Sequence, residues 1–345
     1  VYGEHQFDFM QDIDATNKVD GKPVYYWVNR SNQQVPLDAG YVAVINSTNI
    51  TVKDLTLSRN YHGVLFAYTN NSVIQNVVAR DNIYGIFLRT SSNDVLVNNV
   101  MANNTNNFGV YGTVLPHFIH TIDTSNTVAG KPVYYWVNKK GVTFPANAGY
   151  VAAINSTNVT VKDLALTGNF QGVLFAYTSN SVIQNVTARN DQYGIYLDYS
   201  SNNAVTSNRL YFDSYRGIYL YSSNNNDVSG NKVIGNTGAG IKLHWYSSFN
   251  TVSANILSHN DIGVWTDFVS DNRIYHNSFF GNLLQAKSNN GTNAWNDAAN
   301  TGNDWNNYTG QDTDADSVGE TNIPHQVFDT FPLMYRPVSP FMFSY

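Results

Sequence analysis

Eight glycines, at 63, 85, 109, 172, 194, 217, 240 and 263, each open a run of alternating apolar residues. Their spacing places chemically capable side chains at two fixed offsets. Two residues after the glycine stand Phe87, Tyr111, Tyr196, Tyr219, Lys242 and Trp265. Four residues after it stand Arg89, Thr113, Asp198, Tyr221, His244 and Asp267. If the runs stack, these positions form two adjacent outward columns of aromatic rings and hydrogen-bonding groups. Flat rings beside polar tips suit sugars, which offer apolar faces and hydroxyl edges. The competing reading is that Tyr and Trp simply favour exposed strand surface. The richest cluster is Tyr219, Tyr221, Lys242, His244, Trp265 and Asp267, with Tyr196 and Asp198 at its near end. His244 and Asp267 fall on neighbouring runs, so an acid–base pair is geometrically possible. Asp198 and Asp267 are three runs apart, about 14 Å at ~4.8 Å per strand, which exceeds the roughly 5–9.5 Å that paired glycosidase carboxyls need.

A second constellation is Asp312, Asp314, Asp316 and Glu320, with the Val318 carbonyl alongside. Oxygen ligands at alternate positions let one loop wrap a hard cation, so calcium is the expected metal. The pattern departs from an EF-hand at Ser317 and Ile323, and an ordinary solvated acidic loop is the alternative. A third group, Lys22, Tyr25, Tyr26 and Trp27 with Lys131, Tyr134, Tyr135 and Trp136, reads as strand-edge packing.

The elements that must hold these groups repeat on two scales. GKPVYYWVN occurs at Gly21–Asn29 and again at Gly130–Asn138, and the copies align without gaps from about Ile13 to Asn93. Within each copy a shorter unit of 22 to 24 residues recurs. It contains two short alternating runs separated by Asn, Gly and Ser. Period-two alternation bounded by such residues indicates strand and turn, and repetition at this length indicates a solenoid. Asn tolerates the left-handed bend and can ladder to the Asn of the next coil. Asn76, Asn185, Asn208 and Asn231, each nine residues before a glycine, are expected to form one such column.

Composition narrows the functions. The chain has 345 residues, of which 42% are hydrophobic and 13% charged. The charged share is about half the usual ~25%. Asn, at 49 residues, supplies much of the polarity. Net charge is -6, with no basic patch for nucleic acid. The absence of cysteine excludes disulfides and thiolate sites. No apolar run approaches the ~18 residues of a membrane span. The chain opens at Val1 with neither initiator Met nor signal peptide, as a processed chain or a fragment would. Ten glycosylation sequons, at Asn29, Asn46, Asn49, Asn70, Asn103, Asn155, Asn158, Asn185, Asn290 and Asn307, would be usable in an exported protein.

The coil pattern N-x-V-x-x-N-x-x-x-x-N-x-x-G-I-x-L resembles the NosD-like group of right-handed parallel β-helix proteins, also called carbohydrate-binding and sugar-hydrolase domains. The element at Asn17–Trp27 and Asn126–Trp136 is similar to the version in archaeal cell-surface members. The ending at Asn303–Met334 also resembles theirs. The resemblance implies an all-β, right-handed parallel β-helix. It does not carry copper with it: the chain has no Cys, four Met and eight dispersed His, a poor soft-metal set.

These readings combine into one expectation. Residues 1–112 are the first copy, 113–282 the second copy with extra coils, and 283–345 a C-terminal cap, with residues 1–20 covering the other end. The coils are expected to form one continuous rod of about a dozen turns, roughly 55–60 Å long at ~4.8 Å per turn. The functional expectation is an exported or cell-surface protein, structural or carbohydrate-binding. Its partner would be an envelope polysaccharide or further copies of itself in a homo-oligomer, layer, sheath or filament. The alternative is a polysaccharide lyase, hydrolase or epimerase acting on the Tyr219–Asp267 face.

Overall fold

The computed structural model describes residues 3, 5–326 and 328–334; the rest of the apolar tail, 335–345, lies outside the described residues. The chain is an all-β parallel solenoid of about a dozen coils, as the repeat predicts. Each coil contributes one strand of about six residues and two of three, which stack in parallel on the corresponding strands of neighbouring coils.

The inward columns are apolar and fully buried. Val151, Val173, Ile195, Ile218, Ile241 and Val264 pair in register from strand to strand. All are completely excluded from solvent. The outward alternates of the same strands carry the aromatic and ionisable columns. The glycines at the head of each long strand are required by coil-to-coil approach. A Cβ on Gly194 would sit 2.7 Å from the Gly217 carbonyl oxygen and 2.5 Å from Asp213 Oδ2.

The coils do not form one continuous rod. The first block stacks its long strands Lys22–Val28, Tyr41–Ile45, His62–Ala67, Tyr84–Arg89 and Asn106–Tyr111. The next long strand, Lys131–Val137, does not join that stack. It pairs antiparallel with Thr127–Val128, which itself closes the last coil of the first block against Val100–Ala102. Gly130, at φ +77, makes this hairpin possible; a side chain there would be strained. Lys131–Val137 then starts a second stack that runs on through Leu284–Asn289. Val128 faces the core of the first block, and Tyr135 with its lateral partners Ala152, Leu174, Tyr196 and Tyr219 continues that side of the sheet and packs with first-block residues. The opposite face, with Val151 and Ile195, lines the second core. The shared sheet therefore turns its inner side out at the hairpin. The signal was present in the GKP repeat, which places Gly21, also at φ +77, in an identical hairpin with Lys18–Val19.

The duplication extends further than the sequence match. Short 3-10 turns at Gln6–Phe9 and Leu115–Phe118 occupy equivalent places. The Tyr26 hydroxyl donates to the Phe9 carbonyl and that of Tyr135 to the Phe118 carbonyl, both at 2.6 Å. Tyr26 and Tyr135 thus pack the coil edge, as expected for the third constellation. Of residues 1–20, Lys18–Val19 cover the sheet end, whereas Phe9 lies over the outer face beside Tyr68 and Arg89.

The asparagine ladders hold the bends, with one correction. Asn208, Asn231, Asn255, Asn277 and Asn303 form a buried ladder, each Nδ2 donating to the next Oδ1 at 2.9–3.0 Å. Asn76 and Asn185 belong to a different, exposed column, where they donate to Asp54 and Asp163. Residue 186, a valine, occupies the ladder position. The distance from ladder to glycine varies by one residue between coils, so counting back from the glycine merged two columns.

The segment after Leu283 closes the far end. Trp305 stacks on Phe279 at 4.3 Å and donates its indole N–H to Asp329 at 2.8 Å. Trp295 packs on Phe328 at 4.2 Å.

Candidate functional site: an aromatic cleft between the two blocks

Because the sheet turns inside out, the outer face of the second block's long strands meets that of the first. Phe87 packs edge-on against Phe170 at 4.9 Å, the Tyr84 hydroxyl donates to Gln192 at 2.7 Å, and Gln171 donates to the Val110 carbonyl at 2.7 Å. Beyond these contacts the faces part into a cleft of about 560 Å³. One wall carries Tyr84, Phe87, Arg89 and Tyr111; the other carries Tyr193, Tyr196, Arg216, Tyr219, Tyr221 and His244. Phe87 and Arg89 are the counterparts of Tyr196 and Asp198 at the 109-residue offset, so the duplicated positions serve opposite walls.

The expected sugar face is thus the wall of a cleft, not an open flank. Tyr196, Asp198, Tyr219, Lys242 and Asp267 are buried; Tyr221, His244 and Trp265 are half-buried. Tyr196, Tyr219, Tyr221 and His244 line the opening. Asp198 sits behind it and accepts from the Tyr196 hydroxyl at 3.2 Å. Burial pushes the Asp198 carboxyl up to about 8, opposed by the Tyr196 hydrogen bond. Tyr196 and Tyr219 stack at 4.9 Å.

The deeper residues form a connected set. The Tyr219 hydroxyl lies 2.7 Å from His244 Nδ1, and His244 Nε2 lies 3.4 Å from Asp267 Oδ2. The same carboxylate oxygen accepts from Lys242 Nζ at 3.0 Å, and Asn289 donates to Asp267 Oδ1 at 3.3 Å. Lys242 also lies 3.4 Å over the Trp265 ring. Burial and the adjacent Lys242 charge hold His244 down to about 4, against the pull of Asp267. Burial lowers Lys242 to about 8, opposed by its bond to Asp267. Burial would raise Asp267, but Lys242, Asn289 and His244 together hold it below the usual carboxylate range. At neutral pH the set is therefore a neutral imidazole between a phenol and a carboxylate.

Three kinds of cleft residue escaped the sequence reading. Tyr193 and Arg216 precede their glycines by one residue, a column that the same stacking rule would have produced. Arg216 lies 4.2 Å over the Tyr219 ring and donates to the Tyr215 hydroxyl at 2.7 Å. It has no carboxylate in ion-pair range among the described residues. Trp245 sits at a bend with φ +41, five residues after its glycine, where Tyr177, Tyr199 and Phe268 stand in other coils, so the same counting also reaches it. The whole first-block wall was hidden because it depends on the fold reversal.

In the acidic loop, ligand atoms of Asp312, Asp314, Asp316 and Glu320 all lie within 4.8 Å of one another. Several of these carboxylates also cap the loop, Asp312 accepting from Ser317 N at 2.9 Å and Asp316 from Val318 N at 2.7 Å. The set is all oxygen, which suits a hard cation and not a soft one. It is the single convergent group of three or more His, Cys, Asp or Glu among the described residues. The sequon asparagines are exposed apart from Asn70, which is half-buried. The side-chain nitrogens of Asn46, Asn49, Asn155 and Asn185 are already donating to neighbouring coils. No described helix is long and apolar enough to cross a membrane.

Comparison with solved structures finds other solenoids at low similarity. The A-module of the Azotobacter vinelandii mannuronan C-5 epimerase AlgE6 is 15% identical over 74% of this chain and 75% of its own, with a TM-score of 0.34. A variant of the periplasmic alginate epimerase AlgG is 13% identical over 85% and 68%, with a TM-score of 0.40. The Dettilon tailspike protein is 15% identical over 70% and 56%, with a TM-score of 0.39. Similarity this low says nothing about substrate. No curated protein sequence matches the chain. Residues 16–141 and 122–310 match the family described as periplasmic copper-binding protein (NosD), and the chain belongs to that family.

Proposed function

We propose that this chain is an exported glycan-binding protein that takes a segment of acidic polysaccharide in the cleft between its two blocks. One observation carries the reading: a cleft lined by Tyr84, Phe87, Tyr193, Tyr196, Tyr219 and Tyr221 also presents Arg89 and Arg216. Aromatic walls supply ring stacking for sugars. Guanidinium groups supply bidentate recognition of carboxylate or sulfate. A periplasmic family supports an exported setting. Copper, which the family name implies, does not fit these residues. Cysteine is absent, Met101 is buried in the core, and the convergent donor set is all oxygen.

The test is titration of the full chain with polygalacturonate and alginate, with dextran as the neutral control. Acidic polymers should bind and dextran should bind at least tenfold more weakly. Arg216→Ala should lose at least tenfold for the acidic polymers. Equal affinity for dextran, or an unchanged Arg216→Ala, removes the basis for the reading.

A further inference from the structure

We infer that the cleft is catalytic: Tyr219 removes the C5 proton of a bound uronate, His244 accepts the phenol's own proton, and the glycosidic bond at C4 is eliminated. This rests on the acidic-glycan reading above and goes beyond it, since binding alone needs no proton relay.

The hydrogen-bond chain has a direction. Burial raises the Tyr219 phenol well above its ordinary range, so it keeps its proton and donates to His244 Nδ1. The imidazole is neutral; with Nδ1 accepting, its proton is on Nε2, which lies 3.4 Å from Asp267 Oδ2. Lys242 donates to that same Asp267 oxygen at 3.0 Å and holds it in place. An attacking group, its base and a carboxylate that orients the base are the parts of an activated hydroxyl, here with a phenol in first place. A merely structural tyrosine needs one acceptor. It does not need an imidazole held neutral and fixed from behind by an ion pair.

The surrounding charges select the chemistry. Hydrolysis by two carboxyls is excluded by register. Asp198, Tyr221, His244 and Asp267 occupy one column on four successive strands, which sets the two carboxyls about 14 Å apart at ~4.8 Å per strand. Removal of a proton next to a carboxylate needs one base and a cation to hold the developing negative charge. Arg216, 4.2 Å from the Tyr219 ring, is that cation.

The step balances without a redox partner. The C5–H proton passes to the Tyr219 oxygen as the phenol proton passes to His244 Nδ1. The C5–H electron pair becomes the C4=C5 double bond. The C4–O4 bond breaks, and O4 leaves with its electron pair and takes a proton from water. The imidazolium then returns its proton to solvent. Tyr219 is the catalytic residue; Asp267 and Lys242 are positioning residues.

The experiment incubates the full chain with polygalacturonate and with alginate, following the ultraviolet absorbance of the C4=C5 bond and the polymer's chain length. The proposal expects absorbance and shortening with at least one of them. Tyr219→Phe keeps the ring and removes the phenol. It should fold with an unchanged far-ultraviolet spectrum, bind within about twofold of the parent, and lose at least ~100-fold in rate, the usual size of a general-base contribution. Asp267→Asn should slow turnover and shift the acidic limb of the pH profile, which a purely structural role would leave in place. Binding by the parent chain with neither absorbance nor shortening overturns the catalytic proposal and leaves the binding reading standing. Full activity in Tyr219→Phe also overturns it. Absence of binding to either polymer overturns both.

Discussion

Two buried aspartates interrupt an asparagine ladder, and replacing them should stabilise the protein. Asn169, Asp191, Asp213, Asn236, Asn260 and Asn282 succeed one another along one bend. Each backbone N–H donates to the next side-chain Oδ1 at 2.7–3.0 Å. Where the ladder residue is Asn236 or Asn260, its Nδ2 also donates to the next Oδ1, at 2.8 and 3.0 Å. Asn260 Nδ2 further reaches the Val233 carbonyl at 2.9 Å. Asp191 and Asp213 have no such nitrogen. Both are fully buried, and Oδ2 of each lacks a hydrogen-bond partner. Burial raises both carboxyls well above their ordinary range, and Asp191 pushes Asp213 higher still.

The sign follows from linkage. A carboxyl whose folded value lies above its unfolded value of about 3.9 holds its proton more tightly in the folded state. Its stabilising contribution is greatest below about pH 4 and declines as pH rises through the folded value. Asp191→Asn and Asp213→Asn are near-isosteric, cannot ionise, and add a donor to an oxygen already in place. Satisfying one buried polar group is worth about 1–3 kcal/mol, so the double variant should gain roughly 2–6 kcal/mol near neutral pH. At roughly 2 °C per kcal/mol for a chain of this size, Tm should rise by about 4–12 °C. The two sites touch, so the single variants should not add. Thermal unfolding followed by circular dichroism from about pH 5 to pH 8 is the assay. The gap between parent and double variant should widen as pH rises. Asp94 and Asp198, raised by burial to about 8, are present in both proteins and leave that difference untouched. A double variant less stable than the parent at about pH 8, or a gap that does not change with pH, would refute the reasoning.

The remaining predictions concern the cap and the coil contacts. Millimolar calcium should raise Tm over a chelated sample, and Asp312→Asn with Asp316→Asn should remove the increment; identical melting with and without calcium would leave the acidic loop as a capped turn. Trp305→Ala removes a fully buried ring stacked on Phe279 and the partner of Asp329. It should cost about 3–5 kcal/mol, measured by denaturant unfolding, and a cost under 1 kcal/mol would show that the cap does not seal the core. Gly194→Ala forces a methyl to within 2.7 Å of the Gly217 carbonyl. Overpacking of this kind costs about 1–3 kcal/mol, and unchanged stability would mean that the coils can separate locally.

What the residues disclosed and what they concealed divide along a physical line. Stacking in a solenoid is a local rule, so any property that repeats every 22 to 24 residues could be read from the chain. That covers the parallel strands, the inward Ile195 and Leu197, the outward Tyr196 and Asp198, and the column joining Tyr221, His244 and Asp267. Its failures came where one coil's length changes, as between Val186 and Asn208, because a slip of one residue moves a side chain to another column. The cleft was invisible for a different reason. It depends on a single hairpin at Gly130 that reverses which side of a sheet is interior, and no periodic pattern encodes a unique event. Yet the hairpin's motif occurs twice, at Gly21 and at Gly130. At Gly130 its first strand also pairs with a completed coil, through Val100–Ala102. The duplication therefore did more than lengthen the solenoid. By placing a block-starting hairpin directly after a completed coil, it turned two equivalent outer faces toward each other and converted strand surface into an enclosed site. Phe87 with Arg89 and Tyr196 with Asp198 occupy equivalent positions on those faces and now differ in charge. Both walls carry an arginine, Arg89 on one and Arg216 on the other, and the second alone carries the Tyr219–His244–Asp267 set.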